Sequence, residues 1–110
     1  MRRLNMEEAL TMEEQIASQL ESVIDPELGI DIVNLGLVYE VGYKEPLKQA
    51  YVLMTLTTIG CPLIDVIADD VHNALKQIDG VDEVDLEITF DPPWTVDNMS
   101  RYARIALGIG

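Results

Sequence analysis

Residues 50–80 read AYVLMTLTTIGCPLIDVIADDVHNALKQIDG, and their hydrophobic period changes once, at Gly60-Cys61-Pro62. Before that point AYVLMTLT is a nearly continuous β-compatible run, the pattern of a strand more deeply buried than the one before it. After it, Ile64, Ile67, Val71, Ala74, Leu75 and Ile78 recur at helical spacing, and Gly80 closes the stripe. The next residues restore a period of two. Val84, Leu86, Ile88 and Phe90 alternate with Asp85, Glu87 and Thr89, which predicts a strand with one wet face. A strand, a helix and a second strand in one sheet make the strands parallel, joined by a right-handed crossover.

The flanks add one unit on each side. Thr11 and Glu14 have the spacing of a capping box, and Met12, Ile16, Leu20, Val23 and Ile24 then share a helical face, so a first helix is expected to end before Pro26. In LGLVYEVGY, residues 35–43, Leu35, Leu37, Tyr39 and Val41 alternate, with Val38 as the imperfection. The polar connection KEPLKQ then turns this strand antiparallel to the next. Near the C-terminus DPPW interrupts the chain, Asp97 offers a cap, and MSRYARIAL predicts a short helix ending at Gly108. The order is α-β-β-α-β-α. It predicts a two-layer α/β (α+β) domain with a small mixed sheet, residues 11–110 forming one domain behind a flexible tail over 1–10.

Charge excludes whole classes of partner. Seven basic and twenty acidic residues in a chain of 110 give a net charge of −13, which repels nucleic-acid phosphates and anionic lipid headgroups. A single cysteine closes no intrachain disulfide, and MRRLNMEEAL lacks the apolar segment of a secretory signal. The expectation is a cytoplasmic protein with neither nucleic acid nor membrane as partner, in which Cys61 stays a thiol unless something reacts with it or binds it.

The topology gathers three separate segments. Parallel strands end at one edge of the sheet, which places TTIGCP and DPPW there, and the antiparallel first strand begins at that edge, which adds DPELGIDIVN. Crevices beyond strand ends are the usual ligand sites of such sheets. Pro62 suits the first position of a helix, so Cys61 would be its N-cap, with its sulfur facing unpaired backbone N–H groups and the positive end of the dipole. These favour thiolate, and Gly60 leaves room for a partner. Asp65, one turn along, pushes the thiol the other way. A nucleophilic or metal-binding sulfur and a buried structural cysteine are both compatible with these residues.

The surrounding side chains narrow the chemistry. His72, the only histidine, lies eleven residues further along the same helix, roughly 16 Å from Cys61 at 1.5 Å per residue, too far to serve as its base. No C-x-x-C pair and no Walker-type loop is present. Asp25, Glu27 and Asp31 could join Cys61 in a mixed carboxylate–thiolate site for iron(II) or zinc, or could simply form the turn, as an aspartate before proline often does. Trp94 behind two prolines serves equally well as a lid on the core or as a partner's anchor. A thiol enzyme with Cys61 as nucleophile is the alternative to a binding role.

DPELGIDIVNLGLV, MTLTTIGCP and DPPWTVDNMSRYARIALG, in this order and at these distances, resemble the small iron–sulfur assembly family that contains the bacterial SufT proteins and the eukaryotic cytosolic cluster-targeting factors. The resemblance runs from about residue 12 to residue 108. It implies a fold like that of the NifU C-terminal domain, with Cys61 as functional centre and tentative metal ligand. It also places Asp25, Pro26 and Glu27 in the family's acidic motif, and Thr57 or Thr58 at its threonine. Asp31, Asn34, Gly60, Asp91 and Trp94 complete the motif edge. The implied role is assembly or delivery of iron–sulfur clusters to client or carrier proteins, with no catalysed reaction of its own. No stably bound cofactor is expected, only transient iron or cluster, with pairing of two chains as a means of supplying a second thiolate. A PaaD-like accessory of a phenylacetyl-CoA oxygenase is the neighbouring alternative, but such proteins carry further cysteines that this chain lacks.

Overall fold

The computed structural model describes residues 11–57 and 64–109. Its elements are α1 (Met12–Leu20), β1 (Val38–Lys44), β2 (Gln49–Met54), α2 (Ile64–Lys76), β3 (Glu83–Ile88) and α3 (Arg101–Ala106), with 3-10 turns at Glu45–Leu47 and Val96–Asn98. The α-β-β-α-β-α order is that expected. The tail expected over residues 1–10 and the cap expected at Gly60-Cys61-Pro62 lie outside the described residues.

The sheet has the order β1-β2-β3, with β1 antiparallel and β3 parallel to the central strand. Alternation on β2 sorts its faces. Ala50, Val52 and Met54 are fully buried, while Tyr51 and Leu53 are half-buried on the other side. Helix α1 packs against α2 and β1, and α2 packs against β3, so the helices form one layer over one face of the sheet. Ile16 and Leu20 of α1, the inward residues of β2, and Ile67, Val71 and Leu75 of α2 belong to a single core. Burying a Leu- or Ile-sized side chain stabilises the fold by about 1.5–3 kcal/mol, so these contacts rather than helix propensity hold a nine-residue helix in place.

Several boundaries differ from the sequence reading, among them β2, which stops at Met54 rather than running through Thr57. The capping box of α1 forms as expected, with Glu14 N donating to Thr11 Oγ1 at 3.1 Å and Thr11 N donating to Glu14 Oε1 at 2.9 Å. The helix ends at Leu20, however, because Glu21, Ser22 and Val23 make tighter bonds to carbonyls three residues back. Val23 is thus buried by a turn, and Ile24 is 45% exposed. Strand β1 begins at Val38 because the amides of Leu35, Gly36 and Leu37 are spent on turn bonds to Asp31, Val33 and Ile32. Leu35 and Leu37 are core residues of that turn.

The imperfection at Val38 marks a bulge. Val38 pairs with Met54 and Glu40 with Leu53, so Tyr39 is the extra residue, and Val38 joins Val41 and Tyr43 against the core. At the other end of the chain, Phe90 lies beyond β3 and is 38% exposed. Asp97 caps nothing: it sits within the 3-10 turn, and Met99 then returns to an extended conformation. Ser100 is the true N-cap of α3, its hydroxyl accepting from Ala103 N at 3.1 Å.

Candidate functional site

The acidic loop folds back on itself before it meets anything else. Ile24 and Asp31 form an isolated antiparallel bridge, with Asp25 N donating to Ile30 O and Ile32 N donating to Val23 O, both at 2.9 Å. Within this turn Asp25 is 5% exposed, and its Oδ1 accepts from Glu27 N at 2.8 Å and from Leu28 N at 3.2 Å. Asp31 is 8% exposed and accepts from Asn34 N on one oxygen, at 2.9 Å, and from Asn34 Nδ2 on the other, at 2.7 Å. Burying a carboxylate is costly unless hydrogen bonds replace its water, and these amides do so. Glu27 stands exposed on the outside of the turn.

The C-terminal segment is fastened to this loop at four points. Trp94 is half-buried against the core and its Nε1–H donates to Leu35 O at 2.7 Å. Tyr39, turned by the bulge, donates its hydroxyl proton to Pro92 O at 2.8 Å. Ser100 donates twice to Asn34, from N to the backbone oxygen at 2.8 Å and from Oγ to Oδ1 at 2.6 Å. Gly36 makes the closest approach, with φ at +77°, where a β-carbon would overlap the carbonyl group of Asn98. Asn34 is therefore the hub. Its amide nitrogen holds Asp31 while its amide oxygen takes the hydroxyl that caps α3.

The strand ends confirm the common edge. Met54, the last residue of β2, is paired with Val38 on one side and Ile88 on the other, Thr55 N donates to Leu37 O at 2.8 Å, and Thr89 N donates to Met54 O at 2.9 Å. Asp31 and Asn34 are bonded to each other, Asp25 to the amides of its own turn and Trp94 to Leu35 O, while Thr57 is half-buried beyond β2 and Asp91 is exposed. Thr58, Gly60 and Cys61 lie outside the described residues. His72 is half-buried on α2, its Nδ1–H donating to Ala68 O at 2.8 Å. Among the described residues no group of three His, Cys, Asp or Glu side chains is arranged to hold a metal ion.

Residues 13–86 match the model of a family described as iron–sulfur cluster assembly protein. The chain belongs to that family. Across 94% of its length it is 54% identical to the Fe-S protein maturation auxiliary factor YitW of Bacillus subtilis, covering 99% of that protein. It is 53% identical to the Fe-S protein maturation auxiliary factor SufT of Staphylococcus aureus, covering 79% of this chain and 98% of that one. Its fold superposes with a TM-score of 0.84 on a domain of unknown function, DUF59, from Bacillus anthracis, at 47% identity and covering 90% of this chain and 93% of that one.

For this member of the iron–sulfur cluster assembly family, sequence reasoning overlooked four residues of the edge: Gly36, Tyr39, Thr55 and Ser100. Gly36 carried a signal, since a glycine inside an apolar alternation marks a turn or a close approach. Ser100 carried one too, as a second capping residue immediately before the helical pattern. Thr55, fully buried, and Tyr39, redirected by a bulge, depend on register and had no local signal. Among the described residues no helix is long and apolar enough to cross a membrane.

Proposed function

We propose that the protein is an accessory factor in the maturation of iron–sulfur proteins, in which Cys61 is an exchangeable ligand or contact point at the motif edge. The observation that carries this reading is 54% identity to a maturation auxiliary factor over 94% of this chain and 99% of that one. The clamped edge supports it. A contact point that hands over a cluster needs a rigid frame, and the bonds from Asn34, Leu35 and Tyr39 to the C-terminal segment supply one. The role involves no catalysed reaction of its own, is exercised in the cytoplasm, and has iron–sulfur clients or carriers as partners.

The cluster or iron is cargo in this scheme. One thiolate leaves most coordination positions to other donors. Asp25 and Asp31 already give oxygens to their own loop, so among the acidic-loop carboxylates Glu27 is the one with an exposed side chain to add. Two chains meeting at this edge would bring a second sulfur and also a second set of carboxylates, whose repulsion a cation relieves. Pairing is therefore strengthened by iron(II) and lost on chelation or in Cys61→Ser.

The test is deletion of the gene, with cluster-dependent enzymes assayed beside matched cluster-free ones. Selective loss of the first group, restored by wild type and not by Cys61→Ser, is the expected result. Equal loss in both groups, or full restoration by the serine variant, contradicts the reading. Anaerobic sedimentation with and without iron(II) tests the pairing, and a mass that never changes excludes it.

A further inference from the structure

All twenty acidic residues stand at or before Asp97, and the stretch after it carries Arg101 and Arg104 without an acid. Helix α3 lies in that stretch, on a protein of net charge −13. One side of it is anchored, with Ala103 fully buried and Leu107 packed on the core. The other side is apolar and open: Tyr102, Ile105 and Ile109 are 63%, 67% and 38% exposed. The spacing of three keeps Tyr102 and Ile105 on one face of the helix. Two reverse bonds close the helix end and turn the chain into Ile109, from Gly108 N to Ile105 O and from Ile109 N to Arg104 O. Isolated exposed apolar residues are ordinary, but Tyr102 and Ile105 on one six-residue helix, with Ile109 just past its end and an exposed Arg101 beside them, form a surface.

We propose that the outer face of α3 docks an acidic, apolar segment of a partner protein, held in fixed register with the motif edge by the Asn34–Ser100 bonds. It rests on the maturation reading and gives the partner of that reading a place to bind. Charge decides the occupant. An apolar face edged by arginines is complemented by apolar side chains edged by carboxylates. In a two-fold pair of copies, arginine would meet arginine, and so short a helix falls well below the ~1,000 Å² of a stable specific interface. A small contact of this kind is weak and quickly reversed, as a hand-over requires.

The experiment has a binding arm and a cellular arm, and the proposal requires both. Isotope-labelled protein is titrated with a synthetic amphipathic helical peptide of leucine, alanine and glutamate, with its lysine-for-glutamate counterpart, and with phosphatidylglycerol vesicles. Saturable amide shifts confined to residues 101–109 with the glutamate peptide alone are expected, with affinity falling at least tenfold in Ile105→Ser. No saturation, an equal response to the lysine peptide, a response to vesicles only, or concentration-dependent shifts without peptide would each overturn it. In the deletion strain, Tyr102→Ser/Ile105→Ser should lose cluster-dependent activity at an unchanged thermal midpoint. Full complementation by that double variant where Cys61→Ser fails overturns the docking surface and leaves the maturation reading standing. Full complementation by both overturns both.

Discussion

Asp25-Pro26 and Asp91-Pro92 are the same dipeptide at the same edge of the sheet, and they are used in opposite ways. Asp25 is buried, and its carboxylate gathers the amides of Glu27 and Leu28 into a turn. Asp91 is exposed. Its turn is organised by Thr89, whose hydroxyl accepts from Asp91 N at 3.2 Å and donates to Asp91 O at 3.3 Å. What separates them is the direction in which backbone amides point. The first loop is a closed turn that aims its N–H groups inward, and a carboxylate is the acceptor able to satisfy two at once. The second is an open connection that is met from outside at Pro92 O by the Tyr39 hydroxyl and that sends its own Trp94 indole across to Leu35 O. A motif's letters therefore do not disclose whether its acid is a structural acceptor or a surface charge.

The sharpest way to break this contrast is at Gly36, where the two loops touch. Gly36→Ala places a side chain at φ +77° and against the Asn98 carbonyl group, and it should cost at least about 2 kcal/mol. Gly29→Ala, at φ +72° with open space around it, should cost only about 1 kcal/mol. Urea titration at constant m-value checks both, and equal costs would mean that the loops separate easily.

Next comes the dipeptide pair itself. Asp25→Ala strands two amides in a buried turn and should cost about 1–3 kcal/mol, whereas Asp91→Ala should stay within about 0.5 kcal/mol. Similar thermal midpoints for the two variants would refute the assigned roles.

How much could be read in advance follows the same division. Elements built on period and punctuation were legible: the capping box at Thr11 and Glu14, the helix stripe from Ile64 to Leu75, and the parallel pairing of Ala50–Met54 with Val84–Ile88. These depend on neighbours in the chain. The frame of the site was not, because Asn34 with Ser100 and Gly36 with Asn98 are joined across more than sixty residues and leave no periodic trace. The choice of Asp97 as a cap failed for the same reason. Either Asp97 or Ser100 satisfies the local rule, and the bond from Ser100 N to Asn34 O decides between them.

A smaller effect sharpens the contrast at the helix caps that flank the two loops. Ser100→Ala should cost about 1 kcal/mol through the lost α3 cap, with some addition for the bond to Asn34, while Thr11→Ala should cost about the same without disturbing the edge. Amide exchange at Asp31 and Asn34 separates them, rising in the first variant only.

The least effect is set by pH. Hydrogen bonds from the Thr11 backbone, and then from its side chain, hold the Glu14 carboxyl below its ordinary value. The group with the depressed value in the fold supports α1 above its unfolded pKa and loses that support as pH falls through the folded one. Acidification should loosen the first turn of α1 before the edge responds. A Glu14→Gln variant should remove this acid-side step, as followed by exchange at residues 12–15.

The bond from Trp94 to Leu35 spans 59 residues and that from Ser100 to Asn34 spans 66. Ribosomal synthesis proceeds from the N-terminus, so α1, the hairpin and the crossover can emerge and begin to pair while the partners of Asn34, Leu35 and Gly36 are still unmade. The nascent protein thus passes through a stage in which most of its core is present and its edge stands open. The indole that completes the edge is also the chain's only tryptophan, so its fluorescence times the closing step.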